Sequence, residues 1–182
     1  MKPPEKNVPV LAWHDAKEAA LGRLATAAGP IDVIVMDVEA LTMLVGADLM
    51  SNLAGLSDQI RIVISDAVWS ALAAAGSEST AGRLVDVSHE LFPQLTLAPT
   101  FMDMRQRWLV EMGVDQRIAC EGMTRAAAAE VVEHYQSHGP DRDIILVLGD
   151  EAFGKTVLLL PEHLSALPVG DLAEFLYARP GP

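Results

Sequence analysis

Three short, almost unbroken aliphatic runs constrain this chain more than any other feature: IDVIVM at 31–36, IRIVIS at 60–65 and IILVL at 144–148. A strand with one face in water alternates apolar and polar residues, whereas a strand covered on both faces does not need to. Each run is rich in β-branched residues and is followed by apolar positions at helical spacing. Strands and helices that alternate in this way build a parallel sheet with helices on both faces. The predicted fold is therefore α/β, a three-layer sandwich around a central, mainly parallel sheet. Residues 157–160 (VLLL) and 95–97 are expected to add two further strands.

The helices follow from spacing and punctuation. Asp15 followed by Glu18 forms a capping box, which predicts a helix over 16–28 that stops at Gly29-Pro30 and is preceded by a proline-marked tail over 1–9. Leu41, Leu44, Leu49 and Leu53 predict helix over 38–56, broken at Gly46 and recapped by Asp48. Asp66 is expected to cap a helix over 67–75, and the Ser/Gly/Thr-rich residues 77–82 to form a loop. Further helices are predicted over 84–91, 102–112, 124–138, 161–167 and 170–178. The domain organisation is an N-terminal tail and helix over 1–30 and one α/β domain over 31–182.

Charge narrows the function classes. Against 25 Asp and Glu stand 13 Lys and Arg, a formal charge of −12 that repels phosphate backbones at long range. That field disfavours nonspecific nucleic-acid binding, and RNA would need a local basic patch such as Arg105, Arg107 and Arg117, or a basic partner. The apolar runs fall far short of the roughly 20 residues that span a bilayer, so no membrane is expected. A single Cys, Cys120, permits no internal disulfide, and no apolar leader opens the chain; a cytoplasmic location is expected.

In an open parallel sheet, ligands bind beyond the carboxyl ends of the strands. Asp37, Asp66 and Asp150 stand at three such ends, with Glu39 and Glu151 beside two of them. Converging carboxylates repel one another unless a hard ion such as Mg²⁺ or Mn²⁺ lies between them, where it can activate water against a phosphodiester. Asp37 and Asp150 drawn together without metal would be relieved by substitution to Asn. Asp is also a preferred helix N-cap, which is the competing role for all three. Residues 149–156, GDEAFGKT, satisfy the phosphate-binding pattern G-x-x-x-x-G-K-[ST]. That loop requires a following helix, but Pro161 closes the run after Thr156 within about one turn, which favours strand there. His134 and His138, four apart near a predicted helix end, fit partners of the helix dipole.

Three segments together resemble the PIN-domain family of metal-dependent ribonucleases, which includes toxins of bacterial toxin–antitoxin pairs. VIVMDVEALTMLVGADLMSNL resembles the first PIN strand, its terminal Asp and the Asp-x-x-x-Leu helix after it. IRIVISDAVWSAL resembles the next strand and helix, and LVLGDEAFGKTVLLLPEHLSAL the late strand, its acid and Phe, and a final strand. The resemblance implies metal ligation by Asp37 and Asp150, assisted by Asp66, Glu39 or Glu151. The acid set is degenerate: Ala71 stands where the family usually bears Glu, and near the start of the helix over 124–138, where the family has another Asp, Glu130 is the only acid candidate. IDVIVMDVEAL and IRIVISDA also resemble response-regulator receiver domains, with Asp37 as the acceptor and Ser65 as the switch hydroxyl. Two functions follow as expectations. One is a Mg²⁺- or Mn²⁺-dependent ribonuclease, binding RNA only through a competent metal site. The other is a non-catalytic module that binds protein, including a second copy of itself through Met- and Leu-rich helices.

Overall fold

The computed structural model describes residues 8–74, 78–139, 141–156 and 164–179. Its centre is a five-stranded sheet in the order β3-β2-β1-β4-β5, formed by β1 (Ile31–Val35), β2 (Ile60–Ser65), β3 (Leu95–Ala98), β4 (Asp143–Leu148) and β5 (Ser165–Pro168). Every pairing is parallel, and the register sets Ile31 beside both Ile60 and Asp143. The strand order is one of the two common doubly wound arrangements and differs from the 2-1-3-4-5 order of receiver-type folds.

The helices are α1 (Val8–Thr26), α2 (Val38–Gly46), α3 (Leu49–Ala54), α4 (Asp66–Ala74), α5 (Glu78–Glu90), α6 (Met102–Glu111), α7 (Gln116–His138), α8 (Asp150–Thr156) and α9 (Val169–Tyr177). Alternate strand residues feed two cores. Val33, Val35, Ile62, Ile64 and Val147 pack with residues of α2, α3, α5 and α9, whereas Ile34, Val63, Leu146 and Leu148 pack with Val131 of α7 and Phe153 of α8. These are the outer two layers of the three-layer sandwich. Ala20 and Leu24 of α1 are buried in the first core, and α1 lies along β5.

Several boundaries differ from the sequence reading, each for a local reason. α1 begins at Val8, so Asp15 lies inside the helix and caps nothing; Pro9 is tolerated because an amide in the first turn has no intrahelical partner to lose. Residues 78–82 are helical, the N-terminal part of α5, with Glu78 placed favourably against the helix dipole. The break near Gly46 is present, but Asp48, at φ 55°, makes no capping bond and pairs instead with Arg83. The true cap of α4 is Ser65, whose buried Oγ accepts from Val68 N at 3.1 Å. Residues 165–167, expected as helix, belong to β5, an edge strand where Pro168 costs little ladder bonding. The strand expected over 157–160 lies outside the described residues.

At the amino end of the sheet sits the one fully buried ionised group of β1. Asp32, 0% exposed, takes a two-pronged bond from Arg61 at 2.9 Å on each oxygen and a third from Arg142 Nε at 2.8 Å. The hydrogen bond to Asp32 holds the Arg61 guanidinium above its ordinary pKa, and that group lies 4.7 Å from the centre of the Tyr135 ring. Burial pushes the Tyr135 phenol up, with the charge of Arg61 pulling the other way. The folded chain therefore holds this proton more tightly than the unfolded chain. Its contribution to stability is complete below the unfolded phenol pKa of about 10 and is lost as the pH rises through the folded value. Urea midpoints of Tyr135→Phe are thus expected to fall less steeply than those of the parent as the pH rises above about 10. Equal slopes would remove this assignment.

Candidate functional site at the carboxyl edge of the sheet

The crossover leaving β1 enters the first core through α2, whereas α8, which follows β4, packs into the second through Phe153. The crevice between β1 and β4 is therefore the topological switch point, where ligands bind in folds of this kind. Asp37 is built into this crevice. It adopts an extended conformation at the N-cap of α2, where Oδ1 accepts from Ala40 N at 2.8 Å. Its other oxygen, Oδ2, accepts from Gly149 N at 2.8 Å across the crevice. The side chain of Glu39 also lies over Gly149: a Cβ built there would stand 2.2 Å from Glu39 Oε2 and 2.9 Å from its Cβ. Only glycine permits that approach.

Asp66 repeats the arrangement at the next strand. Oδ1 accepts from Ala67 N at 2.8 Å and from the Thr100 hydroxyl, and Oδ2 accepts from Thr100 N and Phe101 N, each at 2.9 Å. Asp150 repeats it again, with Oδ1 accepting from Gly170 N at 2.9 Å. Each acid thus ends one strand and ties down the turn that follows a neighbouring strand: β1 to β4, β2 to β3, and β4 to β5. Charge-assisted bonds from backbone amides are the stronger kind, which suits carboxylates to this task.

Asp37 and Asp150, expected from the sequence as ligands, each accept from a backbone amide, that of Gly149 beside Asp150 and that of Gly170. Glu39 and Glu151 are exposed in the first turns of α2 and α8. Ala71 is buried in α4, and Glu130 of α7 faces Arg105 at 3.8 Å. Among the described residues, no group of three or more His, Cys, Asp or Glu side chains is arranged to hold a metal ion. GDEAFGKT forms no phosphate cradle either: helix starts at Asp150, and Phe153 N donates to Gly149 O at 2.9 Å, so an amide the cradle would present is spent inside the helix. Phe153 is buried in the second core. Ser65, the switch hydroxyl of the receiver-like reading, is buried and engaged as a cap. His138 Nδ1 bonds His134 O at 2.9 Å with the two rings stacked, which is a helix-end role.

Beyond β4 and β5 the same edge opens into a cleft of about 430 Å³ lined in part by His14, Lys17, Asp150, Phe153, Pro168 and Asp171. Lys17 and Asp171 form an ion pair that joins α1 to α9 across it. The sequence reading missed both this cleft and the Asp32 cluster. A signal for the second was present: IDVIV and IRIVI carry opposite charges at their second positions, and in-register parallel pairing sets Asp32 beside Arg61. No protein-family model matches the chain, and no curated protein matches it. No helix among the described residues is long and apolar enough to cross a membrane.

Proposed function

We propose that this chain is a non-catalytic, PIN-like α/β module that acts by binding protein, a second copy of itself included. One observation carries the reading: the three acids in the positions a metal-dependent nuclease would use each anchor a neighbouring turn through its backbone amide, a structural role that needs no metal. A ribonuclease would need these anchored carboxylates to share Mg²⁺ or Mn²⁺ through their remaining lone pairs, and among the described residues no group of three or more His, Cys, Asp or Glu is arranged for it. The charge of −12 supports the same reading, because it disfavours an RNA substrate.

Thermal unfolding with and without Mn²⁺ tests it. Millimolar Mn²⁺ is expected to leave the midpoint of the parent unchanged. Asp37→Asn, without metal, is expected to lower stability by about 1 kcal/mol, some 2–4 °C, because Asn still caps α2 but weakens the charge-assisted tie to Gly149 N. This reverses the gain that like-charge repulsion between Asp37 and Asp150 would predict. A midpoint raised by Mn²⁺ in the parent but not in Asp37→Asn would overturn the proposal and establish the metal site.

A further inference from the structure

We infer that the outward face of α6 is a two-fold interface between copies of this chain, an inference that rests on the protein-binding reading above and gives it a surface. Phe101, Met104, Trp108 and Met112 follow one another at spacings of three, four and four, which places them on one side of the helix. They are 64%, 68%, 58% and 67% exposed. The helix is held on its other sides by α7 and α4. Phe101 also has φ 58°, a left-handed conformation that a bulky residue adopts only when its surroundings impose it. The bond from Phe101 N to Asp66 holds the backbone in that conformation at the head of the stripe.

The occupant follows from charge, pattern and area. Residues 101–112 carry Asp103, Arg105, Arg107 and Glu111, a formal charge of zero in a chain of −12. The patch itself adds no like-charge contact across such an interface, and moderate salt screens the −12 that each copy carries elsewhere. The stripe reads aromatic, Met, aromatic, Met. Antiparallel apposition about a two-fold axis sets Phe101 against Met112 of the second copy and Met104 against its Trp108, so each sulfur meets a ring, a favourable contact. Side chains of this size bury on the order of 150–200 Å² each, so four that are about two-thirds open offer roughly 400–500 Å² per copy. With the flanking surface, this approaches the low end of specific interfaces, where about 800 Å² per partner is standard. A dimer with a dissociation constant in the micromolar range is the expectation.

Analytical ultracentrifugation of the full chain, over about 1–200 µM in moderate salt, tests it by mass alone and so independently of any metal effect. The parent is expected to pass from one chain to two across that range, with Trp108 fluorescence shifting to the blue as it does. Trp108→Lys and Met104→Asp are each expected to raise the midpoint concentration at least about tenfold. Both side chains are mostly open, so circular dichroism should confirm that the variants remain folded. A parent that stays monomeric to 200 µM, or a dimer that both substitutions leave unchanged, would overturn the inference. Either result could occur with the Mn²⁺ outcome as expected, so the failure of this interface and the failure of the non-catalytic reading are distinguishable.

Discussion

Asp32→Ala is expected to lose about 3 kcal/mol of folding stability, read as a lower urea midpoint with an unchanged slope. Breaking a buried ion pair by removing one partner costs about 3–5 kcal/mol, because the remaining charge is left uncompensated. The acid is wholly buried, but the Arg61 and Arg142 side chains are 36% and 26% exposed and can rehydrate in part, which places the expected loss at the lower end. The effect is large against a total of about 5–15 kcal/mol for a domain of ordinary stability. Asp32→Asn keeps the volume and one acceptor oxygen, so its loss should be smaller. The cluster also fixes position. Arg142 reaches beyond Asp32 to the carbonyls of Ile31 and Gln59, each at 3.3 Å, and so ties the approach to β4 to the starts of β1 and β2. A loss below about 1 kcal/mol for Asp32→Ala would show that the arginines hold the sheet edge without the acid.

Gly149→Ala should cost about 2 kcal/mol through overpacking, and Glu39→Ala should restore part of it in the double variant, since alanine removes the carboxylate but keeps the Cβ. The added methyl would overlap not only the movable carboxylate of Glu39 but also its Cβ, at 2.9 Å, so a change of rotamer alone does not clear it. The backbone at 149 must then shift, and the 2.8 Å bond to Asp37 lengthens with it. This is the expected signature of a crevice closed by its own acids. Chemical denaturation of the parent, both single variants and the double variant gives the coupling directly. Additive losses would mean that Glu39 moves aside freely and that the switch point is more open than its packing indicates.

Much of the fold was legible because the decisive signals are local. The runs at 31–35, 60–65 and 144–148 are strands and are buried almost throughout, since a strand covered on two faces needs only continuous aliphatic sequence. α9 was legible through Val169, Leu172, Ala173 and Leu176, which repeat at helical spacing and are all buried. The four residues of β5 were not legible. Ser-Ala-Leu-Pro is too short to show any period, and its strand character comes from pairing with β4. The loop expected over 77–82 failed at 78–82 because composition favours a break there while the helix through Leu84 extends back over it.

The candidate site divides in the same way. Acids at the ends of three buried strands, each able to cap the next helix, could be read from the residues alone, because capping is a bond across three or four positions. How each carboxylate uses its remaining capacity depends on groups far away in the chain. The amide that meets Asp37 is 112 residues away, those that meet Asp66 are 34 and 35 away, and the one that meets Asp150 is 20 away. Metal ligation and turn fixation ask for the same residue type at the same strand ends. The order of the strands brings a backbone N–H to each acid, and that order is set by pairing between distant segments rather than by any local pattern.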